Sequence, residues 1–147
     1  MREILFRAKT VKNVHWIWGD LFHTGTEPSD GELAISYWDD EDGWMNESVQ
    51  SGTIGQFTGL LDKHGKRIFE GDIVECVSWN EYFSKDGKPM EPFRRKMFVD
   101  YRKGGFKMVE PMPEPMKDNE WDIICNGDIV IIGNIHDDPK LLNHVVL

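Results

Sequence analysis

The sequence predicts a mainly β protein, a small β-barrel or sandwich built from antiparallel hairpins with one short C-terminal helix. Three observations carry this. Apolar residues alternate at period two through successive segments. Turn signals of Gly, Asp, Asn and Pro recur about every ten residues. Only "HDDPKLLNHVVL" carries a helix start, with Asp138 in the capping position and Pro139 in the first turn.

Taken in order, "EILFRAK" and "HWIWGDLF" read as strands joined by the short "TVKN", with Ile4 and Phe6 on one side of the first and Trp16 and Trp18 on one side of the second. "GELAISYW" places Leu33, Ile35 and Tyr37 at period two after the turn-like "EPSDG", and the acidic "DDEDG" reverses the chain into "WMNESV". The run "QFTGLLDKHGKRIFEGDIVEC", Gln56 to Cys76, reads as a hairpin and then a second turn. Thr58, Gly59 and Gly65 shape its turns, and Gly71 and Asp72 lead into a largely buried strand. Phe57, Leu60, Ile68, Phe69, Ile73 and Val74 are its expected core contribution.

"NEYFSKDGKPMEPFRRK" is irregular, with an Asp86-Gly87 turn signal and Pro89 and Pro92, and reads as an exposed hairpin or insertion. "MFVDY" and "GGFKMV" pair across Lys103, Gly104 and Gly105. The alternate prolines of "EPMPEPMKDNE" favour an extended connector or edge. In "WDIICNGDIVIIGNI" the Asn126-Gly127 dipeptide, followed by Asp128, is the strongest hairpin signal in the chain. Leu141 and Leu142 dock the closing helix.

A chain of 147 residues is expected to form a single domain, 1–147, and a division into sub-lobes of about 1–52 and 53–147 is compatible with its length. The 39% hydrophobic fraction, with 6 Trp and 8 Phe, is too rich for a disordered chain. A net charge of -9 disfavours sequence-independent attraction to phosphate backbones or anionic membranes. The sequence has no apolar run of membrane-spanning length and its start lacks a signal-peptide core, so a soluble, cytoplasmic protein with no membrane partner is expected. Cys76 and Cys125 sit in strand-like apolar runs and read as reduced core thiols.

The chemical motifs are weak. "GLLDKHGK" has five residues between its glycines where a phosphate loop needs four, and Arg67 stands where Ser or Thr belongs. "DDEDG" lacks the anchoring carboxylates of a calcium loop, since Trp38 and Val49 occupy those positions, and reads as a solvated turn. His15, His23, His64, His136 and His144 show no zinc spacing. No cofactor is expected and no catalytic residue stands out. A small metal-dependent hydrolase or nuclease, needing Asp72, Glu75 and His136 to converge, is an alternative, although Val77 stands where a nuclease lysine is needed.

One stretch has binding character. In "FRRKMFVDYRKGGFK", residues 93–107, cations interleave with aromatics, so Arg94, Arg95, Lys96, Tyr101, Arg102 and Lys103 are candidates for binding single-stranded nucleic acid. Net charge disfavours that reading against a hairpin whose charges simply solubilise it.

"FRAK…WIWGDL", "QFTGLLDKHGKRIFEGDIVE" and "IIGNIHDDPKLL" resemble, in that order, the segments that mark YopX-like proteins of bacteriophages and prophages. The middle segment is the most specific. The resemblance spans almost the whole chain and departs at Asp39 to Gly43 and Pro111 to Pro115. It implies a β-rich domain with few short helices, a phage or prophage origin in a bacterial host, and homo-oligomerisation; it implies no activity and no catalytic residues. The resulting expectation is a non-enzymatic accessory module that binds itself or a host or phage protein.

Overall fold

Eleven strands and two single 3-10 turns appear in the computed structural model, which describes residues 2–25, 32–78, 93–123 and 128–143. The strands are β1 Phe6–Lys9, β2 Trp16–His23, β3 Leu33–Asp39, β4 Gly43–Ser48, β5 Gly55–Leu61 and β6 Arg67–Phe69, then β7 Asp72–Ser78, β8 Phe93–Arg102, β9 Gly105–Glu110, β10 Asn119–Asp122 and β11 Ile129–Asn134. The protein is mainly β, as expected from its alternation. The described strands form two antiparallel sheets, both open, and no closed barrel. The chain divides into two compact units at Gly59/Leu60, inside β5.

In the first unit the strand order is β4-β3-β2-β1-β5. Register fixes its two faces, because Ala8 stands opposite Ile17 and Ile35 opposite Glu47, and side chains alternate along each strand. Ala8, Ile17, Ile35 and Val49 form the buried core, with Phe6, Leu21, Leu33, Tyr37 and Ile54 packed against them. The opposite face carries Arg7, Trp16, Trp18, Trp38 and Trp44.

In the second unit the order is β10-β9-β8-β7-β11, and β6 is the hairpin neighbour of β5. Ile68, Val74, Met97, Val99, Met108 and Ile129 form its core. The expected hairpin between β8 and β9 turns on Lys103 and Gly104, both at positive φ, the geometry whose twist matches that of the flanking strands. The Gly-Asp turn before β7 needs its glycine: Gly71 has φ +88, and a Cβ there would come within 3.4 Å of His136 Nε2. Asp72, buried, accepts the Phe69 N–H at 2.7 Å and locks the same turn.

Two expectations are modified. Gly59, expected at a turn, lies within β5, whereas Gly65 does sit in the β5–β6 turn and donates its N–H to the Asp62 carbonyl at 3.0 Å. The expected C-terminal helix is a single 3-10 turn, Pro139–Leu142. Its start signal is in place, but the Asp138 carboxylate accepts the Asn134 N–H at 3.2 Å and caps nothing in the turn. The Asn126-Gly127, Asp86-Gly87, Pro89 and Pro92 signals, Cys125 and His144 lie outside the described residues. The hairpin expected around Asn126-Gly127 is nevertheless not formed by its flanking strands, because β10 pairs with β9 and β11 with β7, at opposite edges of the sheet.

Candidate functional site: a tryptophan groove in the first unit

The most site-like feature grows from how β2 shares its pairing. Trp16–Gly19 pair with β1, whereas Asp20–His23 pair with β3. Among the described residues the β2–β3 ladder ends at Asp20 opposite Ser36, while β3 stays paired with β4 to Asp39 opposite Gly43. The strands therefore part beyond Asp20. Gly19 stands at the parting, where a Cβ would lie 2.1 Å from the Ser36 carbonyl oxygen, so no other residue fits that approach.

The opening is a groove of about 520 Å³ lined by His15 to Asp20, Ser36 to Trp38, and Trp44. Its walls are aromatic. Trp18, Trp38 and Trp44 are 50%, 59% and 67% exposed, unusual for so large an apolar ring, and Trp38 meets Trp44 edge to face with centroids 5.5 Å apart. At the β1 side, the Arg7 guanidinium and the Lys9 ammonium lie 4.9 and 5.5 Å from the Trp16 ring centroid.

Polar groups hold the frame. Tyr37 donates its O–H to Glu47 at 2.5 Å, and His15 Nε2 stands 3.9 Å from the same carboxylate. The Glu47 hydrogen bond, followed by burial, pushes the Tyr37 hydroxyl up to about 12. At the end of the β3–β4 hairpin, the Asp39 carboxylate accepts the N–H groups of Asp42 and Glu41, which hold its pKa below the ordinary value. That turn exposes Asp40, Glu41 and Asp42 next to the Trp38–Trp44 pair.

The basic-aromatic stretch lies in the second unit, on β8 and its turn, where its cations meet carboxylates. Arg94 pairs with Glu75 at 2.8 Å and Arg95 with Glu110 at 3.2 Å. Arg102 joins Glu120 at 2.8 Å and Asp100 at 2.9 Å, and Lys103 reaches Glu120 at 3.1 Å. The hydrogen bonds to Glu120 and Asp100 raise the Arg102 pKa. Lys96 is half-buried opposite Glu75. Tyr101 is exposed, edge to face with Phe106. The resulting surface alternates in sign instead of presenting a continuous positive track for phosphates.

The two carboxylates of the hydrolase alternative diverge, while His136 lies beside the Gly71–Asp72 turn. Asp72 and Glu75 project from opposite faces of β7, Asp72 into its turn and Glu75 toward Arg94. Among the described residues, no three His, Cys, Asp or Glu side chains are grouped to hold a metal. Gly59, Gly65, Gly71 and Asp72 have the backbone roles given above, Asp128 is half-buried just before β11, and Gly127 lies outside the described residues.

The groove is the feature that sequence reading missed. Its signal was present in two places: Trp16 and Trp18 at period two, and Trp38 and Trp44 flanking a turn. Nothing in the linear pattern says that strands carrying both pairs diverge.

A protein-family model described as "YopX protein" matches residues 5–143. Among solved structures, the chain is similar to the crystal structure of protein EF1440 from Enterococcus faecalis, with a TM-score of 0.53 and 20% identity, covering 97% of this chain and 99% of that one. At that identity the likeness shows a shared fold. No curated protein matches the chain.

Proposed function

Since the chain belongs to the YopX protein family, we propose that it is a non-enzymatic binding module of a bacteriophage or prophage, acting in the host cytoplasm through the tryptophan groove between β2 and β3. The carrying observation is the set of three half-exposed or more exposed tryptophans on one groove. Keeping such rings in water is unfavourable unless a partner covers them, and aromatic anchors of this kind dominate binding energy in known interfaces. The phage setting rests on the family resemblance. The module reading is supported by Asp72 and Glu75 facing opposite ways, so that these two carboxylates do not converge.

Capture from bacterial lysate by tagged protein, with and without nuclease, tests this against the triple variant Trp18→Ala/Trp38→Ala/Trp44→Ala. The expected result is a protein partner that survives nuclease and is lost in the variant, with its melting temperature unchanged. Retention of the same partner by the variant removes the groove from the function. Material released by nuclease, and lost on charge reversal of Arg94 and Arg95, transfers the function to the β8 stretch.

A further inference from the structure

We infer that the groove takes an extended, positively charged peptide segment of a partner protein, added as a strand alongside β2. This deepens the groove-binding reading and rests on it. The first ground is backbone geometry. The Thr10 N–H bonds the His15 carbonyl at 2.9 Å, so by alternation Ala8/Ile17 and Phe6/Gly19 are the hydrogen-bonded pairs of β1 and β2. The peptide groups of Trp18 therefore point away from β1. They face the groove, past the point where the β2–β3 ladder ends. A strand edge opening onto a groove is the surface that accepts an added strand, with main-chain bonds supplying affinity and side-chain pockets supplying selectivity.

The second ground is charge. Indole faces attract cations, arginine above all. Asp20 lines the groove, and Asp40, Glu41 and Asp42 are exposed at its Trp38–Trp44 end. The cations of this face, Arg7 and Lys9, lie over Trp16 at the opposite, β1 side, and Arg7 is only 8% exposed. Carboxylates beside tryptophan rings favour guanidinium or ammonium side chains arriving from a partner, and repel phosphate. They also disfavour a second copy of this chain on the same face, since a second copy brings the same excess of carboxylates to the contact.

The test is calorimetric titration of the full chain with three blocked hexapeptides, alternating Arg-Val, Ser-Val and Glu-Val. The Arg-Val peptide is expected to bind. Its affinity should fall at least about tenfold in Trp38→Ala/Trp44→Ala. It should fall about three- to tenfold in Asp40→Asn/Glu41→Gln/Asp42→Asn, whose three positions are exposed and carry no fold risk, and with added salt in the wild type. Binding should also slow hydrogen exchange at the Trp18 amide.

Equal binding of the Glu-Val or Ser-Val peptide overturns the cationic assignment, as does failure of the Arg-Val peptide to bind. Self-association in sedimentation that the tryptophan variant loses overturns it in favour of a second copy. In each of these cases lysate capture that still depends on Trp18, Trp38 and Trp44 leaves the groove reading standing. Capture independent of them removes both.

Discussion

Asp62 shows how one side chain can hold a loop. It is 6% exposed, and its carboxylate accepts the N–H groups of His64 at 2.8 Å, Lys66 at 2.9 Å and Ile131 at 3.1 Å. Burial pushes its pKa up, but the three backbone donors outweigh burial and hold it below the ordinary 3.8. A depressed folded pKa means that the stabilisation is complete above the unfolded value and is lost as pH falls through the folded one. Asp62→Ala, which strands three donors, is expected to cost about 2–4 kcal/mol in urea denaturation at neutral pH. The cost should shrink below pH 3.8. In the sequence, Asp62 was legible as part of a turn; its bond to Ile131, on β11, was not, because that partner is distant along the chain.

Between elements, Tyr37 and Glu47 tie β3 to β4 beside the groove. The hydroxyl titrates near 12 in the folded chain against an ordinary 10.0. A raised folded pKa contributes stability that is fully present below the unfolded value and lost as pH rises through the folded one. The stability gap between wild type and Tyr37→Phe should therefore be constant up to pH 10 and close between pH 10 and 12, measured by urea denaturation across pH. A gap that stays open at pH 12 removes Glu47 as the cause. The strands themselves were legible from period-two alternation. The Pro139–Leu142 turn was legible only at its start, since the signals for beginning a helix do not specify how many turns follow.

For the whole molecule, the two units hold separate cores. Ile35 belongs to one and Ile129 to the other, and among the described residues the two share no core neighbour. Ile35→Ala and Ile129→Ala are each expected to cost about 2–4 kcal/mol, and their sum should match the double variant within about 0.5 kcal/mol. A larger discrepancy in chemical denaturation indicates coupling between the cores. Among the described residues no helix is long and apolar enough to cross a membrane.

Local chemistry was enough for the sequence by itself to determine the mainly β class, the β8–β9 hairpin and most of the core run from Phe57 to Val74, while the family was legible from the resemblance of its segments. Alternation and turn residues act over a few positions, and of the expected core residues Phe57, Ile68, Phe69, Ile73 and Val74 are buried while Leu60 is half-buried against the core. Only the tertiary structure decided what the charges and tryptophans do. Arg102 is matched by Asp100 and by Glu120, which lies 18 residues away in the chain and beside it in space. Likewise Trp18 and Trp38 share a groove because β2 changes partner at Gly19, and strand divergence is a property of pairing, which no single segment encodes.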